Sequence, residues 1–159
     1  MTELTATETA SGPRPRILAL DDDADSLRML SLMLMSAGYE VSALRHPEKL
    51  AAALESEAPA LVVTDIMMPG VTGEMVYRQI RATVGRLMPV IVSSGTKLRF
   101  RAPHDPLLAF CPKPVVLPHL LALVERLLED AAWAQQQQAQ PIFPQDEKSF
   151  AENDEADWD

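Results

Sequence analysis

The stretch VVTDIMMPG, residues 62–70, decides the fold of this chain. Apolar and β-branched residues lead into a carboxylate at Asp65, and the chain then turns through Met-Met-Pro-Gly. A short apolar run that ends in turn residues is typical of a strand buried on both faces, and such strands belong to parallel sheets. Asp65 is therefore predicted to stand at the carboxyl end of a buried strand, the edge where parallel sheets bind ligands.

Strands and helices alternate on both sides of this stretch. Short apolar segments predict strands at residues 16–20, 39–44, 60–64, 89–92 and 107–110. The segments between them repeat their apolar residues with a helical period, and the last helix is predicted to run over residues 116–133. Asp25 or Ser26 is expected to cap the first helix. Alternation with short links predicts an α/β fold whose parallel sheet is covered by helices on both faces.

The alternation fails between the last two strands. Residues 95–106 read GTKLRFRAPHDP and include Pro103 and Pro106. A proline in a helix interior costs about 3 kcal/mol, because it removes a hydrogen bond and clashes with the preceding turn. The fourth helix is therefore predicted to be short or irregular.

The two ends of the chain differ from its middle. Residues 1–15 lack the apolar core of a secretory signal and are predicted to be a disordered segment. Residues 134–159 contain a glutamine run, seven acids and one lysine, and so hold most of the net charge of −9. Such a composition cannot bury enough apolar surface to offset its ordering entropy. We expect one ordered domain over residues 16–133, followed by an acidic disordered tail.

Composition excludes several classes of protein. The net charge of −9 argues against a nucleic-acid partner, which requires clustered lysine and arginine. There is no uncharged apolar run of about 18 residues, so neither a transmembrane helix nor a membrane partner is expected. A single cysteine, Cys111, excludes an internal disulfide framework and agrees with a reducing, cytoplasmic location.

Polar side chains follow the predicted strands at the point where each strand ends. They are Asp21, Asp22 and Asp23 after the first strand, Asp65 at the third, Ser93 and Ser94 at the fourth, and Lys113 at the fifth. Carboxylates gathered at one edge repel each other unless a cation holds them together. Hard oxygen ligands suit Mg²⁺, with Mn²⁺ as an alternative, so the pattern predicts a metal site.

Together these motifs resemble the receiver domain of bacterial response regulators, the signalling modules of two-component systems. The resemblance covers about residues 16–130 and rests on motifs that keep the order and spacing of the family: Asp21-Asp22, Asp65 with Met-Met-Pro-Gly, Ser94-Gly95 and Lys113-Pro114. It implies a flavodoxin-like, doubly wound sheet of five parallel strands in the order 2-1-3-4-5.

The resemblance also implies how the acidic edge would work. Asp65 would accept a phosphoryl group from a histidine kinase or a histidine phosphotransfer protein. Asp22, Asp65 and the backbone carbonyl of Met67 would bind Mg²⁺, with Asp21 nearby or acting through water.

Three further residues would bind the phosphoryl group and report its presence. Ser94 would hydrogen-bond a phosphoryl oxygen, and Lys113 would pair with its charge. Ser94 and Phe110 would form the switch, in which the aromatic ring turns inward after phosphorylation and changes the protein surface.

The first helix carries apolar residues on more than one face. Ser26, Met29 and Met33 lie on the face that resembles the docking surface for kinase or phosphotransfer helices. Methionine-rich surfaces adapt readily to helical partners. The alternative is that these residues only add packing against the last helix.

The sequence thus predicts a stand-alone receiver, a phosphoacceptor signalling domain and not an enzyme, that acts through a downstream protein or a phosphorelay. We expect a monomer or a weak dimer, because the dimer face of many receivers includes the proline-broken region. A small Mg²⁺-dependent aspartyl-phosphate phosphohydrolase and a scaffold that is never phosphorylated remain alternatives. Lys97, Arg99 and Arg101 further predict a weak, salt-sensitive contact between residues 95–106 and the acidic tail.

Overall fold

Five parallel strands form the main sheet of the computed structural model, which describes residues 12–95, 100, 102 and 104–139. The strands are β1 (Arg16–Leu20), β2 (Glu40–Leu44), β3 (Leu61–Asp65), β6 (Val90–Ser94) and β7 (Leu108–Pro112). Between β3 and β6, the two-residue strands β4 (Met67–Met68) and β5 (Val71–Thr72) pair as a separate antiparallel hairpin. The helices are α1 (Ala24–Ser36), α2 (Leu50–Glu57), which follows a 3₁₀ turn at Pro47–Lys49, α3 (Gly73–Val84) and α4 (Leu117–Ala139).

The main strands lie in the order β2-β1-β3-β6-β7. Without the hairpin this is the order 2-1-3-4-5, so the predicted flavodoxin-like fold is confirmed. The chain moves outward from β1 to β2 and then returns past β1 to β3, so the winding reverses between β1 and β3. A crevice opens at such a reversal, beyond the carboxyl ends of the two strands. Asp21 and Asp65 stand at those two ends.

Side chains alternate between the two faces of the sheet and build two cores. On one face, Ile17, Val63, Ile91 and Cys111 pack under α1 and α4. The other face packs under α2 and α3, and its buried strand residues are Leu18, Leu20, Val62, Val90 and Val92. Both faces are covered, which explains why the strands read as continuous apolar runs in the sequence.

The first helix is capped by a residue other than the two predicted ones. Asp23 is the N-cap of α1, since its Oδ2 accepts a hydrogen bond of 2.8 Å from the N–H of Ser26. Hydrogen bonds from Ser26 lower the pKa of Asp23, which keeps the cap ionised. The prediction failed because Asp23, Asp25 and Ser26 are all good capping residues, and only the backbone path out of β1 selects the extended one.

The last helix is six residues longer than predicted, because α4 continues to Ala139. Glutamine and alanine have good helix propensity, so the glutamine run extends the helix where its polarity had predicted a tail. The predicted tail therefore begins no earlier than residue 140. Residues 140–159 lie outside the described part of the chain.

The predicted irregularity between β6 and β7 is confirmed, since the described residues of that connection contain no helix. Asp105 holds the connection to α3: Arg81 donates a hydrogen bond of 2.9 Å from Nε to Oδ2 of Asp105, and the hydroxyl of Tyr77 donates to the same carboxylate. Lys97, Arg99 and Arg101 lie outside the described residues, so their predicted contact with the tail stays a prediction. Across the described part of the chain, no helix combines the length and apolarity needed to cross a bilayer.

Candidate functional site

Three carboxylates meet at the crevice between β1 and β3. Leu20 of β1 pairs with Thr64 of β3, so the acids that come next along the two strands lie side by side. Asp21, Asp22 and Asp65 each offer one carboxylate oxygen, and these oxygens all lie within 4.8 Å of one another. The predicted gathering of acids at one edge is therefore present in the structure.

Asp21 is the most buried of the three acids, with only 3% of its surface exposed. Its Oδ1 accepts a hydrogen bond of 3.0 Å from the N–H of Asp23, which orients the carboxylate. Burial raises the pKa of Asp21 above its ordinary value, although the hydrogen bond from Asp23 and the charge of Lys113 oppose the shift. A nearby cation would stabilise the charged form of this buried carboxylate.

Lys113 brings positive charge to the same edge. Its Nζ lies 3.4 Å from Oδ2 of Asp21 and 3.4 Å from Oδ2 of Asp65. The lysine follows β7 directly, and its backbone N–H donates a hydrogen bond of 2.7 Å to the carbonyl of Ser94. The ammonium group therefore bridges two of the three acids, at contact distances typical of ion pairs rather than of short hydrogen bonds.

A tight hairpin fixes the backbone after Asp65. Gly70 adopts a φ of 74°, which suits glycine, and the N–H of Gly73 donates to the carbonyl of Ile66 at 2.7 Å. A Cβ on Gly73 would lie 2.8 Å from the Cα of Ile66, so only glycine fits at this close approach. The hairpin thereby holds the backbone of Met67 beside Asp65, with the N–H of Met67 3.5 Å from Oδ1.

The donor set at this edge fits a hard divalent cation. Mg²⁺ binds oxygen ligands, keeps several waters and uses one or two carboxylates. Asp22 and Asp65 are partly exposed and offer such carboxylates, and Asp21 completes the cluster. A metal there would also relieve the repulsion between the three acids.

The two serines that end β6 point to opposite faces of the sheet. Ser93 is paired in register with Asp65 and shares its face, whereas Ser94 follows the alternation of Val90 and Val92 toward α2 and α3. Ser93 is 4% exposed, and within the described part of the chain its Oγ has no hydrogen-bond partner. Ser93 had no predicted role. The register of β6 against β3 was the signal that could have identified it.

Phe110 lies on the same face as Ser94 and belongs to a row of aromatic rings. Its ring meets that of Phe100 edge-on, with centroids 5.2 Å apart. Phe100 in turn lies 5.4 Å from the ring of Tyr77 on α3. A change in the orientation of Phe110 would therefore alter its packing against Phe100 and, through Phe100, the packing of Tyr77 on α3.

A cavity of about 440 Å³ opens beside the carboxylates. Asp21, Asp65, Ser93 and Lys113 line its polar side, and Ser26, Met29, Leu30, Met33 and Val115 line much of the rest. Met29 is 57% exposed, so most of its side chain does not pack in the core. The structure thus brings the three residues predicted to bind a partner next to the acidic edge.

Residues 17–125 match the family described as the response regulator receiver domain. A response regulator receiver protein from Pseudomonas putida has a similar structure, with 30% sequence identity and a TM-score of 0.62. That similarity covers 72% of this chain and 98% of the Pseudomonas chain.

Two curated relatives are similar in sequence. The DNA-binding response regulator MtrA of Mycobacterium tuberculosis is 34% identical over 79 residues, which are 50% of this chain and 34% of MtrA. The DNA-binding transcriptional regulator NtrC of Salmonella typhimurium is 28% identical over 128 residues, 79% of this chain and 27% of NtrC. The chain therefore spans about a third or less of the length of these relatives.

Proposed function

The chain belongs to the response regulator receiver domain family, and from this premise we propose that Asp65 accepts a phosphoryl group from a histidine kinase or phosphotransfer protein. The observation that carries the proposal is the ammonium group of Lys113, 3.4 Å from both Asp21 and Asp65. A carboxylate that attacks an anionic phosphate needs fixed positive charge close by. The carboxylate and the ammonium group form such a pair at an edge that a donor can reach.

The proposed reaction is a transfer between two side chains. A carboxylate oxygen of Asp65 attacks the phosphorus of a phosphohistidine, and the bond from phosphorus to the imidazole nitrogen breaks. The electron pair of that bond stays on the nitrogen, and Asp65 becomes an acyl phosphate. Lys113 pairs with a phosphoryl oxygen during the transfer, so it lowers the cost of bringing two anions together.

Asp22 and Asp65 would hold Mg²⁺ or Mn²⁺, with the carbonyl of Met67 as a further ligand and Asp21 nearby or acting through water. When bound, such an ion cancels negative charge on the phosphoryl oxygens. The clustering of the three carboxylates within 4.8 Å supports this assignment.

Ser94 and Phe110 are proposed to convert phosphorylation into a change of surface. Ser94 is 6% exposed at the end of β6 and is assigned to bind a phosphoryl oxygen. Movement of Ser94 toward the phosphoryl group would leave room for Phe110, which lies on the same face. The row Phe110–Phe100–Tyr77 would then repack as a unit, which gives the domain two alternative surfaces.

Ser26, Met29 and Met33 are proposed to receive the phosphodonor protein, because they line the cavity that ends at Asp65. The phosphorylated domain then acts through a downstream protein or a relay, as a monomer or weak dimer in the cytoplasm. DNA binding, which the names of MtrA and NtrC state, is not carried over to this chain, because its net charge of −9 disfavours phosphate contacts.

The test is the intact mass of the protein after incubation with Mg²⁺ and acetyl phosphate. A gain of one phosphoryl group supports the proposed function. Repeated turnover of a small phosphate ester without lasting labelling would instead make the protein a phosphohydrolase. No mass gain, either from acetyl phosphate or from a phosphorylated histidine phosphotransfer protein, would make it a scaffold.

A further inference from the structure

A second cavity, of about 1010 Å³, lies at the other end of the molecule. It is bounded by α3, by the turn that precedes β7 and by the last turns of α4. The residues before β6 and β7 that line it stand at the amino ends of those strands, whereas Asp65 stands at the carboxyl end of β3. We call this cavity the α3–α4 groove, and the residues that define it are Arg78, Arg81, Arg86, Asp105, Asp130 and Trp133.

The floor of the α3–α4 groove is rigid. Nη2 of Arg81 lies 2.8 Å from Oδ2 of Asp105, an ion-pair contact without hydrogen-bond geometry. The same Oδ2 accepts a hydrogen bond from Nε of Arg81. Nη1 of Arg81 donates to the carbonyls of Gly85 and Met88, at 3.2 and 2.6 Å. The guanidinium also stacks over the ring of Tyr77, 4.9 Å from its centroid. The charges of Arg81 and Asp105 therefore neutralise each other, so the pair offers little net charge to a ligand.

The rim of the groove offers positive charge instead. Arg86 is exposed and makes no hydrogen bond or ion pair with the residues that the structure describes. Arg78 pairs with Glu74 at 2.7 Å, but its side chain is 74% exposed and the pair is a surface one of low strength. Asp130 is the acid on the opposite wall. With Arg81 paired to Asp105 and Arg78 to Glu74, Arg86 is the rim cation that has no partner among the described residues.

Trp133 adds an exposed apolar surface to the wall of the groove. Its side chain is 64% exposed, the largest fraction among the exposed large apolar residues of the described chain. An indole left in water beside a cavity is a candidate for contact with another segment, because burying it is favourable. The groove thus combines an apolar wall with an arginine at the rim that has no partner in the described part of the chain.

The sequence after residue 139 contains apolar residues that could cover the indole of Trp133 and acids that could pair with Arg86. After Ala139 the chain reads QPIFPQDEKSFAENDEADWD, so Ile142 and Phe143 stand between two prolines and the acids follow them. Residues 140–159 carry seven acids and one lysine. Trp133 lies six residues before Ala139, or about 9 Å at the helical rise. Residues 140–143 span up to about 13 Å when extended, so a chain that turns back directly after Ala139 can bring Phe143 to the indole.

We propose that residues 140–159, the acidic segment, fold back into the α3–α4 groove of the same chain. Ile142 and Phe143 cover Trp133, and the acids that follow pair with Arg86 at the rim. The contact lies at the end of the sheet away from Asp65, so it leaves the acidic edge open. This assigns the acidic segment a binding site that is independent of the proposed phosphorylation.

The two tryptophans of the chain allow a direct test. In the variant Trp158→Phe, Trp133 is the only indole, and its quenching by acrylamide reports on exposure of the groove. The full chain and a chain shortened after Ala139, which keeps every described residue of α4, are compared at low salt. The shortened chain should be quenched about twofold more strongly, a modest factor because exposed ion pairs are weak. High salt should remove most of the difference, since screening weakens the pairing with Arg86.

Matched charge reversals locate the contact. In the full chain, Arg86→Glu should raise the quenching of Trp133 to that of the shortened chain. Arg28→Glu changes an exposed arginine of α1 outside the groove and should have no effect. Circular dichroism checks that both variants keep the fold.

Three results would overturn the proposal. The first is equal quenching of the full and shortened chains at low salt. The second is protection of Trp133 that grows with protein concentration, because the occupant would then be a second copy of the chain. The third is protection that disappears on charge reversal of Lys97, Arg99 and Arg101 but survives Arg86→Glu, which would place the acidic segment on the preceding loop.

Discussion

Asp65 of β3 and Ser93 of β6 lie opposite each other in register, and both side chains face α1 and α4. The adjacent Ser94 faces the other core, together with Phe110. The carboxylate thus has one buried hydroxyl beside it on its own face, and a second hydroxyl one residue later on the opposite face. The first of these, on Ser93, has no partner within the described residues.

Ser93→Ala should leave the free energy of unfolding unchanged or raise it by up to about 1 kcal/mol, because a buried hydroxyl without a partner carries a desolvation cost. Urea unfolding measures this. The matched variant Ser94→Ala should slow the labelling of Asp65 by acetyl phosphate, whereas Ser93→Ala should not. A destabilisation by Ser93→Ala well above about 1 kcal/mol would mean that its hydroxyl is satisfied in solution.

Asp65→Asn should abolish the gain of one phosphoryl group and leave the fold intact, because the amide removes the nucleophile but keeps its size. Intact mass and circular dichroism measure the two effects. Asp22→Asn is the control, since it weakens the metal site and slows labelling without removing the acceptor. If Asp65→Asn still became labelled while Asp22→Asn did not, the roles of the two acids would have to be exchanged.

Lys113→Met should slow labelling by about a hundredfold, the usual loss when one fixed charge or hydrogen-bond donor to a transition state is removed. The rate of mass gain with acetyl phosphate measures this at fixed Mg²⁺. Lys49→Met, at an exposed lysine of the 3₁₀ turn before α2, is the matched control and should label at the wild-type rate. A wild-type rate for Lys113→Met would contradict the role of Lys113 on which the proposed function rests.

Mg²⁺ should stabilise the folded domain, because the three carboxylates come together only in the native state. Thermal unfolding with increasing Mg²⁺ should show a rising midpoint. Asp22→Ala should erase the rise by removing one of the proposed ligands, and Glu55→Ala, at an exposed acid of α2, should preserve it. A wild-type midpoint that does not respond to Mg²⁺ or Mn²⁺ would contradict the metal site.

Asp105 should make the fold sensitive to acid. Burial alone would raise the pKa of Asp105, but hydrogen bonds from Tyr77, Arg81 and the N–H of Leu107 outweigh it and hold this pKa below its ordinary value. For a lowered folded pKa, the stabilisation is present above the unfolded value and is lost as pH falls through the folded one. Between about pH 5 and pH 3, wild type should therefore lose more stability than Asp105→Asn.

Urea unfolding midpoints at a series of pH values measure this difference. Asp21 acts with the opposite sign, since burial raises its pKa, but its contribution is common to wild type and Asp105→Asn and cancels in the comparison. Parallel curves for wild type and Asp105→Asn would show that the ion pair with Arg81 does not contribute to acid sensitivity.

Local patterns in the sequence were sufficient for the fold and for the acidic edge. Continuous apolar runs require strands buried on both faces, and alternating helices cover those faces. In such a sheet the ends of the strands meet at one edge, so Asp21, Asp65 and Lys113 could be placed together before any coordinates were known. The proline-broken connection could also be predicted, because the helix penalty of proline is local.

Tertiary structure alone decided the features that depend on register and on contacts between distant residues. Ser93 and Ser94 are chemically identical, and only the pairing of β6 with β3 puts Ser93 beside Asp65. Whether residues 134–139 join α4 depended on a competition between polarity and helix propensity that composition does not settle. The α3–α4 groove arises because Arg81 and Asp105, 24 residues apart, form a partly buried pair beside Trp133. Sequence determines which groups reach an edge of the sheet, whereas packing across the sheet determines which groups face each other.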